Sequence, residues 1–225
     1  MKLSDTTIEL LKNFALINTN MLFKPGNTIS TISMAKNILA KAEIVETFPR
    51  EFGIYDLNEF LSVLSLLKEP ELEFGTDSLA ISQGDAKITY YYASPATLTA
   101  PQKSLSMPKP EVVLKLSADV IAQIRRAASA LGHSELAFAG SNGKVTIVIC
   151  DPKNGTANRF SIVADSKNAC TESFNFIMSI GSMKLFPGDY TLEISSKLIS
   201  RFKCESAPIE TFVALEKTST FGKQN

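Results

Sequence analysis

An α+β chain of two similar domains, each of helices packed on antiparallel sheet, is predicted by three observations. An amphipathic helical stretch followed by a train of alternating segments recurs about four times along the 225 residues. The recurrences fall twice on each side of a proline-rich stretch. The length suits two domains of about a hundred residues, each long enough to bury a core.

The first helix is predicted from Asp5 to about Ile17: Leu10, Leu11, Phe14 and Ile17 gather on one side, and Asp5, Glu9, Lys12 and Asn13 take the other. A second, Asp56 to Leu67, opens on an Asp-Leu-Asn cap and sets Leu57, Phe60, Leu61, Leu64 and Leu67 in one stripe. A third follows Ser117, its N-cap, with Val120, Ile121, Ile124, Ala128 and Leu131 inward and Arg125, Arg126 and Ser129 outward. A fourth, near Met178 to Leu185, is a turn or two closed by Pro187-Gly188.

Between the helices the period falls from about 3.6 to 2, the mark of half-buried antiparallel strands. Strands are predicted at Ile29 to Met34, Leu72 to Phe74, Leu79 to Ile81, Ile88 to Ala93 and Leu136 to Ala139, and then at Lys144 to Asp151, Arg159 to Ala164, Tyr190 to Ser195 and Thr211 to Leu215. Asn142-Gly143 is the strongest hairpin signal, because the two-residue turn that matches strand twist needs positive φ at both central positions. Pro25-Gly26, Gly84-Asp85, Asn154-Gly155 and Pro187-Gly188 mark further turns. Around Ser94-Pro95, Pro101, Pro108 and Pro110 there are few charges and no apolar period, which reads as an ordered, extended linker. The predicted domains are 1–98 and 111–225, joined by a linker at 99–110.

Basic and acidic residues balance at 23 each, but not locally. Up to Ala100 eight Lys and Arg stand against twelve Asp and Glu, and afterwards fifteen against eleven, so the halves carry about −4 and +4. Opposite halves suit a head-to-tail contact, which either closes into a ring or grows into a filament. An uneven scatter of charge is the plain alternative.

The catalytic inventory is nearly empty. His133, the single histidine, sits in a Gly-His-Ser turn past the third helix; no Gly-x-Ser-x-Gly elbow, P-loop or dinucleotide fingerprint is present. Glu69, Glu71 and Glu73 alternate along one strand and so share one solvated face. Cys150, Cys170 and Cys204 are odd in number and far apart, which indicates neither a disulfide framework nor a zinc site. No cofactor is expected. No apolar run of about 18 residues is available to span a bilayer, and the first residues lack the apolar core of a signal peptide, so a cytoplasmic protein without a membrane role is expected.

Several separated stretches resemble one family, the sliding clamps (DNA polymerase processivity factors) of T-even-type bacteriophages. They are Met1-Lys2-Leu3-Ser4, Leu10-Leu11-Lys12-Asn13-Phe14-Ala15 with Ile17-Asn18, and Ile54-Tyr55-Asp56-Leu57-Asn58 with Phe60-Leu61. Later come Phe174-Asn175-Phe176-Ile177, Met183-Lys184, Pro187-Gly188 with Tyr190, and Val213-Ala214-Leu215-Glu216, in the same order across nearly the whole chain. The segments 27 to 50 and 134 to 170 depart from the family's pattern.

The resemblance implies a DNA-clamp fold, with three subunits closing head to tail as a homotrimer around double-stranded DNA, helices lining the hole and sheets forming the rim. It implies Lys12, Arg125 and Lys184, with Arg126 as neighbour, as the DNA-facing set, in contact that is weak and sequence-independent. It places the subunit boundary at the edge strands Ile88 to Ala93 and Arg159 to Ala164, with Tyr90, Tyr92, Arg159 and Ile162 as candidates. Leu105, Met107 and Pro108 of the linker, with Phe212 and Ala214 of the last strand, are the candidate pocket for partner peptides. The implied partners are a DNA polymerase, a separate ATP-dependent clamp loader and late-transcription factors, in the cytoplasm of the infected bacterial host. A non-enzymatic processivity factor is the expectation. The alternatives are a β-rich viral structural or assembly protein and, more remotely, a carboxylate-dependent hydrolase.

Overall fold

In the computed structural model, which describes residues 1–151, 154–167 and 170–222, the chain separates into two units, Met1–Ser104 and Leu105–Asn225. Unit 1 begins with α1, Asp5–Ala15, which starts where it does because the Ser4 hydroxyl accepts from Thr7 N–H at 3.3 Å. Its apolar face, Leu10, Leu11 and Phe14, is fully buried. There follow β1 (Met21–Phe23), β2 (Gly26–Ile32), β3 (Ile38–Phe48) and β4 (Phe52–Ile54). Helix α2, Leu57–Leu64, is capped by Asp56, whose carboxylate accepts from Asn58 and Glu59 N–H. The unit closes with β5 (Glu71–Phe74), β6 (Ser78–Gln83) and β7 (Ala86–Tyr91). Strands β1 and β4 pair, β2 pairs with β3, and β5, β6 and β7 form a meander, all antiparallel. The rings of Phe23 and Phe52 stack at 4.5 Å between centroids, with Phe48 edge-on to both, under the helices.

Unit 2 holds β8 (Val112–Leu116), α3 (Ala118–Leu131), β9 (Glu135–Ser141), β10 (Lys144–Ile149), β11 (Phe160–Ser166) and β12 (Phe174–Ser179). A 3-10 turn, Ile180–Ser182, leads to β13 (Tyr190–Ser195), β14 (Ile199–Cys204), β15 (Ile209–Ala214) and β16 (Thr220–Phe221). The strands run in the order β16, β12, β9, β10, β11, β8, β13, β14, β15. Ser117 caps α3, Gly132 ends it at φ 70°, and Asn142 and Gly143 take φ values of 52° and 78° in the β9–β10 hairpin.

Both units follow one plan: a helix, four antiparallel strands of which the fourth pairs with the first, a shorter helical segment, then three strands in sequence. In unit 2 the strand entering α3, β8, pairs with β13. In unit 1 the residues entering α1 do the same with β5, since Met1 and Leu72 exchange hydrogen bonds at 2.9 and 2.7 Å.

Several expectations need correction. The fourth helix shrinks to the single 3-10 turn, because Met178 and Ser179 extend β12 against Leu136 and Glu135 and leave too few residues to nucleate an α-helix. Helix α2 stops at Leu64, short of Leu67, and Asn13 of α1 is buried and not on the solvated face. Glu69 precedes β5, so only Glu71 and Glu73 share its exposed face. Strands β1, β3, β4, β8, β12, β14 and β16 escaped the sequence reading. The longest of them, β3, alternates Ile38, Ala40, Ala42, Ile44, Glu46 and Phe48 inward. Its two alanines and a glutamate hide the period of two.

Glu46 is 8% exposed and ties α1 to β3. Its carboxylate accepts from Thr7 Oγ1 at 2.6 Å and from Ser4 N–H, at the positive end of the helix. Burial pushes this carboxyl up, but the hydrogen bonds from Thr7 and Ser4 outweigh it and hold the group below its ordinary value of 4.5. The folded group therefore stabilises the protein fully above that value, and the contribution is lost as pH falls through the lowered one. Replacing Glu46 by Gln is expected to cost about 1–3 kcal/mol at neutral pH. Denaturant unfolding at pH 7 and in mild acid checks this: the variant loses less stability on acidification than the parent.

Candidate functional surfaces

The polar faces of the helices carry the basic residues. Lys12 is exposed on α1 and pairs with Glu9 at 2.7 Å, which offsets part of its charge. Helices α1 and α2 pack together, and a groove of about 460 Å³ runs along them, floored by Ile8, Leu61 and Leu64 and lined also by Lys2, Lys12 and Lys68. The sequence reading missed Lys2 and Lys68. Both lie outside the helical periods, and only the packing of α2 on α1 brings them beside Lys12.

In unit 2, Arg125 and Arg126 stand exposed on α3. The Arg125 guanidinium donates to the Met183 carbonyl at 2.8 Å, which brings it beside Lys184 although 58 residues separate Arg125 from Met183. Lys184 is exposed, but it follows the 3-10 turn and does not belong to a helix. Tyr190 underpins this corner: it is 1% exposed and its hydroxyl donates to the Phe186 carbonyl at 2.6 Å. Burial, then the neighbouring Cys204, pushes its phenol well above the ordinary range.

The two predicted edges differ. Among the described residues, strand β7 pairs on one side only, with β6. Tyr90 turns inward against Phe60, centroids 5.3 Å apart, and burial with Glu59 and Asp56 nearby pushes it up to about 12. Tyr92 lies against Phe52 at 5.3 Å, and burial raises its phenol as well. The tyrosine that faces outward is Tyr91, 74% exposed, as alternation requires. Strand β11 is not an open edge throughout. It pairs with β10 along Phe160 to Ala164, while Asp165 and Ser166 pair with β8. Ile162 is half-buried in it, and Arg159 precedes it, exposed, donating to the Gly155 carbonyl at 3.3 Å.

Of the predicted peptide pocket, Leu105 and Ala214 are exposed and Met107 and Pro108 half-buried. Phe212 is 2% exposed, so its ring supports β15 and is not itself presented. His133 Nε2 meets the Asn158 carbonyl at 2.8 Å, a turn contact. All three cysteines are free. Among the described residues, no cluster of three or more His, Cys, Asp or Glu could hold a metal ion, and no helix is long and apolar enough to cross a membrane.

Two family models match, one described as DNA polymerase processivity factor over residues 2–98 and one as gp45 sliding clamp, C terminal, over residues 113–217. The chain is 32% identical to the sliding clamp of Vibrio phage KVP40, covering 96% of this chain and 99% of that one. It is also 32% identical to the sliding clamp of Enterobacteria phage T4, over 98% and 99%. Among solved structures, the proliferating cellular nuclear antigen of Entamoeba histolytica superposes with a TM-score of 0.71 at 14% identity, over 96% and 97% of the two chains.

The Arg125 contact yields a prediction about stability. Arg125→Ala leaves the Met183 carbonyl without this donor and is expected to lower stability by about 1 kcal/mol. A shifted denaturant midpoint with an unchanged slope is the signature to look for.

Proposed function

We propose, from the premise that this chain belongs to the sliding-clamp family of DNA polymerase processivity factors, that three copies close head to tail around duplex DNA with α1, α2 and α3 turned toward it. The protein has the DNA-clamp fold and serves as a polymerase processivity factor. The observation that carries the reading is the match of both halves to clamp models, joined to a fold whose two units repeat one plan. Nothing favours a virion structural role.

Clamps of this family act as processivity factors rather than as enzymes. The DNA-facing set is Lys12, Arg125, Arg126 and Lys184, extended by Lys2 and Lys68 of the α1–α2 groove. Each phosphate that such a cation neutralises adds salt-dependent affinity through counterion release. Many strong contacts would therefore pin a ring that has to travel. The Glu9–Lys12 pair and the balanced net charge support weak contacts, with retention supplied by closure. No base-reading residues are needed.

The polymerase, an ATP-dependent clamp loader and late-transcription factors are the proposed partners, since the chain carries no nucleotide-binding motif with which to open itself. Exposed Leu105 and Ala214, with half-buried Met107 and Pro108, support a place for an apolar peptide anchor in unit 2, for which Phe212 is the buried candidate. The relatives are phage proteins, which supports action in the cytoplasm of the infected host. The interdomain segment is taken as 99–110 between domains at 1–98 and 111–225. Its start is held by Asn18, whose amide donates to the Ile32 and Thr99 carbonyls at 2.9 and 3.1 Å.

Light scattering across a wide concentration range is expected to give a discrete particle of about three times the 24.5 kDa chain mass; a strict monomer or an unbounded polymer would count against closure. Replacing Lys12, Arg125 and Lys184 together by Ala is expected to shorten retention on DNA and polymerase run length while the trimer persists. Each lost phosphate contact should reduce the slope of log affinity against log salt by about 0.9. Unchanged processivity in that variant would remove the assignment.

A further inference from the structure

Resting on the closed-ring reading above, we infer the register in which β7 of one copy joins β11 of the next. The strands run antiparallel, with Lys87 opposite Val163, Ile88 opposite Ile162, Thr89 opposite Ser161 and Tyr90 opposite Phe160.

The backbone defines which groups are available. Tyr92 N–H donates to the Asp77 carbonyl at 3.0 Å, so strand alternation aims the groups of Tyr90 and Ile88 at β6 as well. Those of Lys87, Thr89 and Tyr91 then face the open side. The next residue in that series, Ala93, is already used, because its N–H donates to the Gly53 carbonyl at 2.9 Å. On β11, Lys167 N–H donates to the Val113 carbonyl at 2.9 Å. Alternation therefore aims Asp165, Val163 and Ser161 away from β10. Asp165 meets β8, which leaves Val163 and Ser161 without a ladder partner among the described residues.

The side chains obey the same parity. Ile88 and Tyr90 are half-buried while Lys87, Thr89 and Tyr91 are exposed; Phe160, Ile162 and Ala164 are half-buried while Ser161 and Val163 are exposed. Direction follows from charge. Antiparallel pairing sets Lys87 diagonal to Asp165 and Tyr91 beside Arg159, where ring and guanidinium attract. Parallel pairing would put Lys87 against Arg159.

Register follows from the ends. With Thr89 opposite Ser161, all three outward residues of β7 find partners, namely Val163, Ser161 and Arg159. A shift of two residues one way sets Lys87 opposite Asp165, whose outward groups β8 already occupies. A shift the other way leaves Val163, 77% exposed, uncovered. In the inferred register Ile88 meets Ile162 and Tyr90 meets Phe160 on one face, and Thr89 meets Ser161 on the other.

Cysteine pairs in the full-length chain test this. Opposed Cα atoms in an antiparallel pair lie about 4.5–5.5 Å apart, within disulfide reach, whereas a two-residue slip adds about 7 Å. Under mild oxidation, Ile88→Cys with Ile162→Cys is expected to link copies at least about tenfold faster than Ile88→Cys with Ala164→Cys or Ile88→Cys with Phe160→Cys, the pairs that a two-residue slip in either direction would bring together. Single-cysteine variants set the background from the native thiols. Thr89→Cys with Ser161→Cys repeats the test on the solvent face, where core packing is untouched. If a slipped pair links faster while light scattering still reports a trimer, the register is wrong and the ring stands. If the parent chain never assembles, the ring reading fails and the register falls with it.

Discussion

The rest of the structure depends on carboxylates that reach from the sheet and its connections to the N-termini of short helices. Helices of 8 to 14 residues are marginal in isolation, because nucleation is costly and little propagation follows. Here they are held at the end where unpaired N–H groups concentrate positive charge. Glu46 of β3 takes Ser4 N–H at the start of α1, and Asp189 takes Ala118 N–H at 2.8 Å at the start of α3. Asp56 caps α2 as the helix's own N-cap residue.

That arrangement also sorts charge. Acidic groups that neutralise helix N-termini are withdrawn from the general field, while Lys12, Arg125 and Arg126 remain on outward faces. A chain of zero net charge can thus present a basic helical surface without being a strong nucleic-acid binder. Weak attraction suits an object held by topology, for which a tight phosphate grip would hinder movement.

The second organising feature is the unpaired strand. An edge strand is a template for another chain and an aggregation risk unless it is covered. Strand β7 and the first part of β11 are such edges, one in each unit, and each is bounded by its own neighbour, Gly53 past β7 and β8 past Ala164. Edges of limited length admit only a short ladder, and the rotation between copies decides whether such a head-to-tail contact closes into a ring or grows.

Much of this was legible in the residues. The stripes of α1, α2 and α3, the Ser4, Asp56 and Ser117 caps and the Asn142-Gly143 hairpin are local signals, written within one or two turns of chain. The fourth helix was misread because Met178 belongs to a ladder with Leu136, 42 positions away, which periodicity cannot see. Strand β3 was missed because its inward face includes two alanines and a glutamate whose burial makes sense only once α1 sits above it. By itself the sequence determined the helices, most turns, the two-part organisation and, through scattered family motifs, the kind of protein. Only the tertiary structure decided that Lys2 and Lys68 join Lys12, that Arg125 meets the segment leading to Lys184, that Tyr91 and not Tyr90 faces outward, and where each edge is open. These are relations between residues distant in the chain, created by packing and by the alternation of paired strands.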